Sequence, residues 1–124
     1  MREFATDILE PLNIEYDLMV KGDFTNKKLM LTKRKEIYMV FKEAINNAAK
    51  YSSCSKINTT IVATDNTIEI RIEDNGVGFD REQIKTGNGL RNMEERAKKV
   101  EATIGINSSA GKGTLITLSI KSHE

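Results

Sequence analysis

Between Arg34 and Ser52 the chain carries neither glycine nor proline, and its apolar residues recur at helical spacing. A helix turns by about 100° per residue. On that wheel Ile37, Val40, Phe41, Ala44 and Ala48 share one face, as expected of a helix laid on a sheet. Lys35, Lys42 and Asn46 fall opposite, toward water. Glu43, Asn47 and Lys50 form a third group, stacked in one row by their i, i+4, i+7 spacing. A carboxylate, an amide and an ammonium at the rim of a core suit a metal ion and its phosphates. They suit an ordinary surface pair beside a lysine equally well, and the helix alone does not choose.

The flanking sequence supplies a sheet for that helix. Residues 2–10 read as a short helix ended by Pro11. Asn13 to Val20 alternates, with Ile14, Tyr16, Leu18 and Val20 on one side of a strand. After a polar stretch, Thr32 is placed to cap the long helix, and Ser52-Ser-Cys-Ser ends it. Lys56–Thr64 and Thr67–Glu73 read as a β-hairpin turning at Asp65-Asn66. Residues 81–89 are short and polar. A second helix runs from Leu90 to Glu101, with Leu90, Met93, Ala97 and Val100 inward. Strands follow over Ala102–Asn107 and Thr114–Ile120. Helices and strands mix without strict βαβ alternation. The expected class is therefore α+β, a two-layer sandwich: a mixed sheet of about five strands covered on one face by about three helices. At 124 residues one domain is expected, with a linker and short helix over 1–12, a body over 13–121 and a tail over 122–124.

Composition removes several classes of function. A net charge of +1 gives no electrostatic reason to expect nucleic acid or an anionic membrane as partner. No apolar run reaches the roughly 20 residues needed to span a bilayer. Cys54 stands alone, which excludes an internal disulfide and fits a reducing cytoplasm. Zinc fingers and metalloproteases lack their ligands here. A Ser-His-Asp triad would have to use His123, the only histidine, at the extreme end of the chain.

The sharpest single residue is Asp74. Ile68, Ile70 and Ile72 face one way, and the pleat places Asp74 on that same apolar side. A carboxylate there is costly without a partner. A backbone N–H of the following Asn75-Gly76 turn is one candidate partner. The amino group of a ligand is another, with Gly76 and Gly78 letting the backbone approach it. Gly87-Asn-Gly-Leu-Arg-Asn-Met93 is a glycine loop opening a helix, where free N–H groups favour anions. Neither a Walker loop nor a dinucleotide fingerprint is present. Gly111-Lys-Gly-Thr114 reads most economically as a hairpin turn.

In order along the chain, these stretches resemble the boxes of the GHKL, or Bergerat-fold, ATP-binding family. Within it they resemble the catalytic domain of sensor histidine kinases. Glu43-Ala-Ile-Asn-Asn-Ala-Ala-Lys-Tyr51-Ser resembles the N box, and Asp74-Asn-Gly-Val-Gly-Phe79 the first glycine box. Gly87-Asn-Gly-Leu-Arg-Asn-Met-Glu-Glu-Arg-Ala97 resembles the second, in the short-lid form of nitrate-sensor-type kinases. Gly111-Lys-Gly-Thr114 resembles the third. The resemblance implies ATP and Mg²⁺ as ligands, with Asn47 on the metal and Lys50 and Tyr51 near the phosphates. It implies Asp74 on the adenine amino group, and Thr114 behind the adenine supporting Asp74. Gly76, Gly78, Gly87, Gly89 and Leu90 would form wall and lid. Glu43, Asn47 and Lys50 would be the catalytic set. The implied activity is transfer of the γ-phosphoryl group to a histidine on a separate dimerisation domain, with a response regulator downstream.

His123 does not match an acceptor, so the chain reads as a cytoplasmic catalytic domain parted from its dimerisation helices. The sequence leaves open whether the parent protein is membrane-anchored. Alternatives are an anti-sigma-type serine kinase that binds a protein partner, whose second glycine box usually differs, and a nucleotide-binding module without transfer.

Overall fold

A computed structural model describes residues 1–22, 31–51, 53–64, 66–77, 89–108 and 111–121; for Leu31, Thr32, Tyr51, Gly89 and Leu90 only the backbone is described. Gly78 and Gly87 lie outside these residues. The elements, in order, are α1 (Arg2–Leu9) followed by a 3₁₀ turn (Glu10–Leu12), β1 (Glu15–Gly22), α2 (Leu31–Tyr51), β2 (Lys56–Ala63), β3 (Thr67–Asp74), α3 (Gly89–Lys99), β4 (Thr103–Ser108) and β5 (Thr114–Lys121).

The strands form one sheet in the order β1-β2-β3-β5-β4. β1 pairs parallel with β2, and the other three pairings are antiparallel. The mixed five-stranded α+β sandwich expected from the sequence is the fold observed. Strand periodicity explains the layering. β5 alternates buried and half-buried residues along its length, with Ile116, Leu118 and Ile120 inward. β3 buries Ile68, Ile70, Ile72 and Asp74. One face of the sheet is thus apolar and takes the helices.

The long helix lies on that face. Ile37, Val40, Phe41, Ala44 and Ala48 are all buried, as its wheel requires. Ile45 is fully buried as well and widens the apolar arc, because α2 is covered on both flanks. On one flank sits α1, whose Ala5 and Leu9 are fully buried. Its Phe4 ring packs edge-on against Tyr38 and Phe41. On the other flank α3 buries Met93 and Ala97, with Val100 buried just past its end, and its Arg96 reaches Glu36 at 3.0 Å.

Three local expectations change. Thr32 lies inside α2, which begins at Leu31, so it belongs to the first turn. Lys42 does not simply face water: its Nζ sits 5.1 Å from the Phe4 ring centre and 4.9 Å from that of Tyr38, because α1 covers this flank. Val20, expected beside Tyr16 and Leu18 on the packed side, is 58% exposed. β1 is an edge strand with β2 alone beside it, and its last residues lack cover. The polar Thr59 is buried at the centre of β2 and is matched by the Tyr16 hydroxyl at 2.8 Å. Among the described residues no helix is long and apolar enough to cross a membrane.

Candidate functional site

The site forms at one end of the sheet, where register lines up four strands. Ser108 pairs with Thr114, Thr114 with Asp74, and Asp74 with Ile57. Two hydroxyls and a carboxylate therefore sit side by side in one row on the helix-covered face. Thr114 is 5% exposed and Asp74 9%. α2 ends at Tyr51 and β2 starts at Lys56, so the end of α2 carrying Asn47 and Lys50 comes down at this same end of the sheet. The end of α3 joins β4 at Thr103, which pairs with Ser119 at the opposite end. The start of α3, at Gly89-Leu90, is thereby turned toward Asp74.

The turn after β3 is held from three sides. Gly76 N–H donates to Asp74 Oδ1 at 2.9 Å. The Asn75 side chain accepts from the N–H groups of Ser55 and Lys56 at 2.9 and 3.0 Å and donates to Ser55 Oγ at 2.9 Å. It fastens the start of β2 to the end of β3. The N–H of Gly111 bonds the Val77 carbonyl, bringing the β4–β5 loop onto the same turn. Gly113, at φ +77°, lies flat on the Asp74 backbone. A Cβ there would stand 2.3 Å from the Asp74 carbonyl oxygen. Only glycine fits that approach, so the third glycine pair does more than close a hairpin.

Burial pushes the Asp74 carboxyl above its ordinary value, and backbone hydrogen bonds from Gly76 and Thr114 act the other way. An ionised carboxylate has about four acceptor positions. The two backbone bonds leave capacity for a further donor, so the turn alone does not use up this residue. A depression of about 460 Å³ wraps this end of the sheet, lined by Asp74, Asn75, Ser108, Lys112, Gly113 and Thr114 and also by Glu73, Asn107 and Leu115 of the opposite face. A larger one of about 750 Å³, lined by Asp17, Asn58, Thr60, Arg71 and Glu73 among others, lies mainly on the opposite face of the sheet and holds no buried carboxylate.

Glu43, Asn47 and Lys50 are carried on one unbroken helix, the first two half-buried and Lys50 exposed. They belong to the flank of α2 that also carries Glu36 and faces α3. Tyr51 closes the helix, and its side chain lies outside the description, as does that of Leu90. No cluster of three acidic, histidine or cysteine side chains exists among the described residues. Sequence reasoning had not singled out Ser108, Gly113 or Asn75 as individual residues. Gly113 stood within a quoted glycine pair, whereas Ser108 gave no local signal.

Residues 32–124 match the model of the family described as histidine kinase-, DNA gyrase B- and HSP90-like ATPases. The chain belongs to this family. Among curated proteins it is 37% identical over 86 residues to the oxygen sensor histidine kinase NreB of Staphylococcus carnosus, covering 68% of this chain and 25% of NreB. It is 24% identical over 121 residues to the sensor histidine kinase LiaS of Bacillus subtilis, covering 97% of this chain and 34% of LiaS. The chain thus spans about a quarter to a third of these relatives. A solved structure, the blue-light activated histidine kinase of Erythrobacter litoralis EL346, superposes with a TM-score of 0.78 at 15% identity, over 96% of this chain and 39% of that one. At that identity the likeness concerns the fold alone.

Proposed function

We propose that this domain binds ATP with Mg²⁺ and transfers the γ-phosphoryl group to a histidine on a separate dimerisation domain, from which a response regulator would be served. The observation that carries the reading is Asp74: a buried carboxylate at the end of an apolar row, with acceptor capacity left over and a glycine pressed on its backbone. An adenine amino group is the donor that suits it. Phosphates extending from there would meet the α2 row. Asn47 would hold Mg²⁺, which supplies charge neutralisation along the phosphate chain. With no acidic cluster nearby among the described residues, the ion would draw its other ligands from phosphate and water, as this ion commonly does. Lys50 and Tyr51 would steady the phosphates, Gly76, Gly78, Gly87, Gly89 and Leu90 would line and close the pocket, and Glu43 would assist by orienting a proton acceptor. Catalysis would then rest on positioning and electrostatic stabilisation.

Only eight residues separate Gly78 from Gly87, which favours the short-lid subfamily. The Gly-Leu-Arg-Asn-Met-Glu-Glu-Arg-Ala sequence favours a histidine kinase over an anti-sigma-type serine kinase. The domain would work in the cytoplasm.

The test is incubation with γ-labelled ATP, with and without an added dimerisation domain bearing its histidine. The expected result is an acid-labile, alkali-stable label on the added domain and none on this chain, whose only histidine is His123. Asp74→Ala should bind ATP about tenfold to a hundredfold more weakly, the range of one lost hydrogen bond to a charged group. Robust self-labelling of the chain, or normal ATP binding by folded Asp74→Ala, would overturn the reading.

A further inference from the structure

The Ser108–Thr114–Asp74 row has a direction, and the hydrogen-bond inventory sets it. Ser108 Oγ lies 3.2 Å from the Gly113 carbonyl oxygen and 2.8 Å from Thr114 Oγ1. A carbonyl only accepts, whereas each hydroxyl has a single proton to donate. Both contacts are hydrogen bonds in one arrangement only: Ser108 donates to Gly113, and Thr114 donates to Ser108. The Thr114 proton is then drawn away from Asp74, and Thr114 Oγ1 turns lone pairs toward the site. Its neighbour in register, Asp74, is an acceptor as well.

We infer that Ser108 is a specificity-determining positioning residue, which makes the Thr114–Asp74 pair present acceptors alone by holding the Thr114 proton. Resting on the ATP-binding reading above, this selects a base edge that offers hydrogen-bond donors, such as an exocyclic amino group, over one that offers a carbonyl. It also means that Thr114 supports Asp74 only through a donor lying between them, either a water molecule or the amino group itself. Removing the Ser108 hydroxyl frees Thr114 to turn its proton toward the site and greet a carbonyl.

The experiment is competition by ATP and by inosine triphosphate, which carries a carbonyl in place of the amino group, against a fluorescent adenine nucleotide. Wild type should prefer ATP. Ser108→Ala should lower that preference about three- to tenfold, the range of one neutral hydrogen bond, and Ser108→Thr, which keeps the hydroxyl, should restore it. A purely structural role would weaken both nucleotides together and leave their ratio unchanged. An unchanged ratio in Ser108→Ala, with ATP still bound, overturns the inference while the ATP-binding reading stands. Should Ser108→Ala fail to fold, Ser108→Cys carries the same comparison, because its thiol is a weak donor and a weak acceptor; an unchanged ratio there again overturns the inference. If wild type binds no purine nucleotide, the ATP-binding reading fails and the inference falls with it.

Discussion

Asp74 sits in the core with Ile68, Ile70 and Ile72, and its charge opposes its burial. Its carboxyl holds its proton more tightly in the folded chain than in the unfolded one. The folded state therefore binds more protons across the interval between the two values, and stability falls as pH rises through it. Asp74→Asn lacks the titration. The wild type is accordingly expected to lose stability relative to Asp74→Asn from about pH 4 upward, where a free carboxyl begins to ionise, and the difference should level off once the folded carboxyl is fully ionised. Urea unfolding of both proteins without nucleotide, across this range, measures it. Wild-type stability that rises with pH relative to Asp74→Asn would show that the Gly76 and Thr114 hydrogen bonds outweigh desolvation, and an unchanged gap would show that they cancel it.

Among the elements, α2 is the one every other helix touches. Its two flanks are set by single side chains: Lys42 under the Phe4 and Tyr38 rings on the α1 side, Glu36 against Arg96 on the α3 side. The Glu36–Arg96 pair is partly shielded from water and joins residues 60 apart in sequence. It is one contact that ties α3 to α2, beside the buried Met93 and Ala97. A pair with this exposure contributes modestly, so Arg96→Met should cost about 1 kcal/mol of unfolding free energy. The double-mutant cycle with Glu36→Gln should show coupling of about 0.5 kcal/mol or more. Strict additivity in that cycle would mean that the contact holds nothing in place.

At the scale of the molecule, the proposed site draws on the end of α2, the end of β3, the β4–β5 loop and the start of α3. A ligand bridging them should hold the whole domain together. At a hundred times its dissociation constant, ATP with Mg²⁺ is expected to add about 2.7 kcal/mol, a rise of several degrees in Tm for a domain of this size. In Asn47→Ala the nucleotide-only part of that rise should persist and the extra part from Mg²⁺ should vanish, read by thermal unfolding with and without the metal. Equal loss under both conditions would assign Asn47 to the fold instead of the metal.

Local periodicity by itself determined the element types, the sandwich architecture, the inward face of α2 and the burial of Asp74. Each of these follows from geometry repeating within a few residues: about 100° per residue in α2, and alternation of faces in β3. The pair Gly111 and Gly113 also announced its turn, because both take a positive φ that few other residues tolerate. What touches what was decided by the tertiary structure. Ser108, Thr114 and Asp74 form a row only because β4, β5 and β3 pair in one register. Lys42 meets Phe4 only because α1 folds back on α2, and Val20 is uncovered only because β1 lies at an edge. Such contacts join segments far apart in the chain, and they are chosen by which packing buries the most apolar surface. No pattern within a single segment carries that information.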